Sequence, residues 1–540
     1  MNAPRWRWPA IGLAMVVLVG TGVFLAWRTL TDNTGPATAA AQRAVAALTN
    51  QTITDGAFGT TAGPADAEDL AATLKGMGTL RPRISIESVQ LDDEQTKGSA
   101  RLRAEWTIHA GKPAWLQEAY VQLARGPEGW TAVWNRDLLA TGLEPSDRLR
   151  AIRLAPERGE VLGEDDERLV WNQDAKQIGL DKTLLPVADQ ADAAKALARA
   201  LRIDVRAYQG KVASYGPKAF VEAAVLRAVG NPEWGMVSAA RKLTGVRVID
   251  TVRPLAISST FARPVLGRVG EATDDIIKAS GGAIRPGDLV GLGGLQRARN
   301  EQLMGITGFV VQAYPDGHLS EARKLFEVPA EAGAELRTTL STAAQRRAEA
   351  LLAGDGDRAL VVIRPSDGAV LAIASSPDTD TAMSRRIYPG DFAPVSLPAK
   401  TRGLPQTLDA LGLTGDPGLG ISVFTADSDG GTLRLSSYGL AAALASIGHG
   451  ASLRPQLLAD EPQAPITEGI TAADVAAVKA AMTKAAKAAR YGRLADLPGA
   501  KPLIAGDAKT WTAVLKGDLA VAGYDPNGGS IELVRRYLAG

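Results

Sequence analysis

Ser396 stands four residues before Lys400, a serine–lysine spacing that suits acyl transfer. On a helix the two would share a face, and the lysine could take the serine's proton and turn the hydroxyl into a nucleophile. Pro398 lies between them and Pro394 just before. Proline removes a backbone donor and pushes the preceding residue out of helical geometry, so Phe392–Pro398 reads as extended or turning surface chain. A second place with chemical meaning is Lys509-Thr510, a cation and a hydroxyl that could hold a carboxylate, followed by Trp511. Read as ordinary edge-strand residues, Lys509 and Thr510 need no chemistry, and that is the simpler account.

Other chemistries find less. The chain has no cysteine, which excludes disulfides, thiolate zinc sites and thiol nucleophiles. His109, His318 and His449 have no second ligand beside them at metal-binding spacing, and read as solvated or capping residues. No metal and no organic cofactor is expected. Gly291–Gly294 fails as a nucleotide loop, because Gln296 takes the place of the third glycine and no strand-to-helix unit surrounds it. Asp165-Asp166-Glu167 reads as a charged turn.

The elements that would position these residues follow from pattern. Ala359–Ile363 and Ala369–Ala374 are apolar and β-branched, separated by Pro365-Ser366-Asp367-Gly368, which predicts a hairpin. Ahead of it, Ala37–Leu48 and Asp66–Met77 predict helices, and Arg83–Leu91, Ser99–Ala110, Trp115–Ala124 and Trp130–Trp134 predict strands. The second strand alternates, Leu102, Ala104, Trp106 and Ile108 facing one way and Arg101, Arg103, Glu105 and Thr107 the other. Apolar residues at helical spacing predict helices over Asp192–Arg202 and Pro217–Val229, and Val246–Ile257 predicts a strand.

At 540 residues the chain can form about three domains. A net charge of +1 gives no electrostatic footing for nucleic acid. Pro9–Trp27 carries no charge, follows Arg5 and Arg7, and is edged by Trp6, Trp8 and Trp27. That is the pattern of one membrane-spanning helix with its N-terminus inside. Small residues at Ala37–Ala41 could serve cleavage of a signal peptide but lie far beyond the apolar run. Both readings place everything after Thr31 outside the cytoplasmic membrane.

The hairpin, continued by Ser375-Ser376-Pro377 and Tyr388-Pro389-Gly390-Asp391-Phe392, resembles the opening of a penicillin-binding transpeptidase domain. Glu335–Leu340 and the helix to Leu352 resemble its first strand and helix. The resemblance implies a nucleophilic serine where Asp391 stands, and a lysine where Ala393-Pro394 follows. It implies Ser-x-Asn near Ser436-Ser437-Tyr438, which lacks the asparagine and reads better as the start of a later helix. Ala505–Ala513 resembles the Lys-Thr-Gly strand with two extra residues and Trp511 for glycine, so the groove is expected to be filled. Pro389–Leu413 looks too short for the helices that carry the missing motifs.

Pro156–Leu162, Thr260–Gly270, Gly294-Leu295-Gln296 and Glu301–Gly305 resemble the pedestal region of class B penicillin-binding proteins. The first helices and strands resemble their nuclear-transport-factor-like domain. The expected architecture is α+β multidomain. It has a membrane anchor and linker (1–36), a cone-like α+β domain (37–140), an extended pedestal (141–329) and a degenerate β-lactamase-like transpeptidase domain (330–540). The implied function is a catalytically inactive, membrane-anchored member of peptidoglycan synthesis or division, working through contacts with other cell-wall proteins or with peptidoglycan. The alternatives are a D,D-transpeptidase with an atypical nucleophile, Ser396 with Lys400, or a sensor of muropeptide or β-lactam.

Overall fold

The structure is a computed structural model and describes residues 34–53, 55–108, 111–228, 234–354, 356–429 and 431–540. The expected membrane helix and His109 lie outside these residues. Among the described residues no helix is long and apolar enough to cross a membrane. The chain is a mixed α+β protein of two compact units. One runs to Leu154 and takes up Thr307–Ala330, and the other comprises Ala155–Ile306 and Glu331–Gly540.

In the first unit the helix Gly35–Asn50 buries Ala37, Ala40, Ala41, Ala44 and Leu48, one stripe at helical spacing. It packs with an antiparallel meander of Pro82–Leu91, Lys97–Trp106, Trp115–Gly126 and Gly129–Ala132. Ala100, Leu102, Ala104 and Trp106 point inward, while Arg101 on the other face pairs with Glu118 at 2.8 Å. A second sheet of Asp147–Leu154, Gly308–Pro315 and Arg323–Val328 completes the unit, so residues at both ends of the expected pedestal pack here.

The second unit contains two five-stranded sheets and two small two-stranded ones, Val269–Glu271 with Leu289–Gly291 and Ala426–Asp429 with Thr432–Leu435. The strand Arg168–Asp181 is the centre of the first, flanked by Phe220–Arg227 and Val246–Ala256, with the helices Gln190–Ala200 and Val205–Ser214 covering one face. Here the helix expected over Pro217–Val229 is corrected to a strand. Its alanines favour a helix locally, but seven residues pair with the central strand across one bulge at Ile178/Gly179, and tertiary pairing outweighs propensity.

The second sheet is antiparallel, in the order Val370–Ser375, Ala359–Ile363, Leu519–Tyr524, Trp511–Lys516, Leu503–Gly506. Leu360 and Val362 face the helices Thr342–Leu352 and Ser530–Ala539, whereas Val361 and Ile363 face Ser437–His449. Covered on both faces, the strands are continuous apolar runs. The helix Ser437–His449 is buried along nearly its whole length, as its Leu-Ala-Ala-Ala-Leu-Ala sequence allows.

Candidate functional site

Gly390 turns the chain with a left-handed φ of 63° into a helix spanning Ala393–Arg402, followed by a second over Leu404–Ala410. One expectation is corrected here: Phe392–Pro398 is not extended surface chain but enters the first of these two helices. Pro394 falls in the first turn, where the amide it lacks would have had no partner. Pro398 does break one interior bond, but it is buried on the same face as Val395, and the helix closes beyond it through Gly403 N–H to Ala399 O at 2.9 Å. Burial of that face offsets the lost bond.

Ser396 and Lys400 therefore do lie one turn apart on a helix. The Ser396 hydroxyl nevertheless donates to the Asp391 carboxylate, while Lys400 is exposed. A carboxylate beside that hydroxyl opposes a developing oxyanion on it.

Phe392 caps the helix and is fully buried, and Trp511, the first residue of its strand, is 2% exposed. Their rings meet edge-on with centroids 5.5 Å apart and planes at 89°. The space between the helix N-terminus and the sheet is occupied by two aromatic side chains, an arrangement favoured by the opposite charge of ring edge and ring face.

Lys509 and Thr510 are not on the edge strand, which corrects that expectation. The strand ends at Gly506, and the next four residues form a turn built on Asp507. Asp507 Oδ1 accepts from the Lys509 amide at 2.8 Å and the Trp511 amide at 3.0 Å, and Oδ2 accepts from the Thr510 hydroxyl at 2.5 Å. The aspartate satisfies the turn's donors locally and so draws these residues out of the sheet ladder. The Lys509 side chain is exposed.

Ser436 caps the buried helix, accepting from Gly439 N–H at 3.0 Å. Ser437 Oγ and Tyr438 Oη are buried with no hydrogen-bond partner among the described residues, and burial pushes the Tyr438 phenol up. Nothing there relays a proton to Ser396. His318 and His449 each place Nδ1 against a backbone carbonyl, at 3.0 and 2.9 Å.

A second polar centre lies in the Gly-Leu-Gln region. Arg158 is buried and its Nε donates to Gln296 Oε1 at 2.8 Å, Nη2 to Gln296 O at 3.0 Å and Nη1 to Asn300 Oδ1 at 3.1 Å. All these acceptors are neutral, and burial lowers the guanidinium pKa to about 10. Sequence reading noted Gln296 but missed its partner. An arginine beside glycine just before an apolar strand pair was the one available signal.

Residues 153–338 match the penicillin-binding protein dimerisation domain. Among solved structures, the fold is similar to a complex between the penicillin-binding protein PBP2 and MreC from Helicobacter pylori. The identity is 13% and the TM-score 0.53, with 72% of this chain and 98% of that chain covered. No curated protein matches the chain. In fold the chain is thus like a class B penicillin-binding protein and carries that family's dimerisation domain.

Proposed function

We propose that this is a membrane-anchored, penicillin-binding-protein-like component of peptidoglycan synthesis or division that does not acylate and acts through contacts with other cell-wall proteins or with peptidoglycan. The observation that carries the reading is the triad Asp391, Phe392 and Trp511. An aspartate stands where the resemblance implies a serine, and the two rings beside it occupy the adjoining space. The dimerisation domain supports the wall assignment, and the similar solved structure, itself a complex of two proteins, supports a role through protein contacts. The uncharged run Pro9–Trp27 supports the anchor and an extracytoplasmic ectodomain. The working division remains 37–140, 141–329 and 330–540.

One observation favours a second reading. The helix beneath Ser396 and Lys400 is real, so an atypical nucleophile has the right spacing. Incubation of the purified full-length chain with a fluorescent penicillin decides between them. No covalent labelling is expected; a label on one serine, lost in Ser396→Ala, establishes the second reading and overturns the first.

A further inference from the structure

A cavity of about 660 Å³ opens in the second unit between the Thr260–Arg268 segment, the helix Thr342–Leu352 and the chain that leaves the hairpin at Ser375–Asp380. That volume is in the range of small-molecule sites, ~300–1,000 Å³. None of its walls includes Asp391, Ser396 or Trp511. Its lining has an apolar part, Pro264, Leu292 and Ile373, and five charged side chains, Arg263, Arg268, Glu349, Asp378 and Asp380, of which Asp380 accepts from the Ser384 hydroxyl at 2.6 Å.

The charges are what distinguish it from an ordinary crevice. Arg268 is exposed to the cavity and forms no ion pair among the described residues, whereas neighbouring Arg263 is taken by Asp378 at 3.3 Å. On the helix Thr342–Leu352, Glu349 is held through a single oxygen, which accepts from the Ala262 amide at 2.6 Å and from Gln345 Nε2 at 2.7 Å. Both donors are neutral, and Glu349's other carboxylate oxygen takes part in neither bond. Gln345, which fixes Glu349, is itself fully buried and clamped to Ile373 N–H and O at 2.9 and 3.1 Å. The acid is therefore held in place by a rigid strut. Arg268 and Glu349 form no ion pair with each other, and a group with a negative end and a positive end satisfies both.

We infer that this cavity binds a short peptide with free termini, its carboxylate on Arg268, its ammonium on Glu349 and small side chains against Pro264, Leu292 and Ile373. A neutral sugar would leave both charges unmatched, and a free amino acid would leave much of the volume empty. Burial raises the Glu349 pKa, and a bound ammonium offsets that rise. The inference does not rest on the inactive-transpeptidase reading, since no residue of that site lines the cavity.

The test is isothermal titration calorimetry on the full-length chain with L-alanyl-L-alanine and D-alanyl-D-alanine, each free, N-acetylated and C-amidated. Binding of at least one free dipeptide is expected, weakened about tenfold or more by either cap, because each removes a charge-assisted contact. Whichever configuration binds sets the stereochemistry of the peptide; an intact wall stem peptide, whose D-Ala-D-Ala amine is acylated, is mimicked by the N-acetyl form and is expected to bind weakly. Arg268→Gln and Glu349→Gln should weaken binding similarly. Arg268 is exposed, so Arg268→Gln should retain the wild-type melting curve; glutamine at 349 keeps an oxygen for the Ala262 amide and removes a carboxylate that burial disfavours, so Glu349→Gln should melt no lower than wild type. No heat with either free dipeptide, equal affinity for capped forms, or wild-type affinity in both variants overturns the proposal.

Discussion

Trp511 meets Phe392 edge-on, strand start against helix cap, with ring centroids 5.5 Å apart. The contact ties the helix Ala393–Arg402 to the central sheet. Truncating a buried tryptophan removes both transfer energy and packing, so Trp511→Ala should cost ~3–5 kcal/mol. Urea unfolding of wild type and variant measures it; a loss below ~1 kcal/mol would show that the ring holds little. Penicillin labelling should stay absent in the variant, since opening the space supplies no hydroxyl at Asp391.

That contact also marks the limit of what the sequence discloses. The bulk of Trp511 was legible as an obstruction; its partner was not, because Phe392 lies far away along the chain and only the fold joins them. Alternation in Lys97–Trp106 and the apolar pair Ala359–Ile363 and Val370–Ser375 were legible, because each strand has a face set by its own residues. Phe220–Arg227 was not. Its alanines and leucine fall at helical spacing, and only the neighbouring strand selects the extended form. Pro398 misled for a related reason. Its local cost is real, but the burial that offsets it comes from residues the local sequence does not contain.

Gln296→Glu should stabilise the protein. Arg158 is buried against neutral oxygens alone, while Gln296 Nε2 is buried with no partner. The substitution replaces an unsatisfied donor by an acceptor and gives the guanidinium a counter-charge at the 2.8 Å contact. A gain of about 1–2 kcal/mol is expected in chemical denaturation. A loss would mean that desolvating the new carboxylate outweighs its attraction to Arg158.

Glu271 carries a pH dependence. Gln177 Nε2 donates to Glu222 at 2.7 Å and reaches Glu271 at 3.5 Å, bringing two carboxylates to one amide. Burial first, then the Glu222 charge, raise the Glu271 pKa, with Lys211 and Arg253 opposing. A carboxyl whose pKa is higher folded than unfolded contributes stability below its unfolded value, near 4.5, and loses it as pH rises through the folded value. Glu271→Gln should therefore be more stable than wild type at neutral pH and show a flatter decline above pH 4.5. Thermal melts across pH read this out; parallel curves for the two proteins would refute it.

The turn after Gly506 offers a test of where Lys509 and Thr510 belong. Ala508 sits there with φ of 63°, a left-handed conformation that costs an alanine ~1–2 kcal/mol and a glycine little. Ala508→Gly should therefore stabilise the fold, although glycine also loosens the unfolded chain and returns part of the gain, leaving a net change of ~0.5–1 kcal/mol. Asp507→Ala should do the reverse by about 2 kcal/mol or more, since it strips acceptors from the Lys509 and Trp511 amides and the Thr510 hydroxyl together. If the segment were instead a straight edge strand, Asp507 would hold no donors and glycine at 508 would weaken the ladder. Opposite signs for the two substitutions in a denaturation series, a gain at 508 and a loss at 507, thus establish the turn, and a loss from Ala508→Gly with none from Asp507→Ala would return Lys509 and Thr510 to the strand.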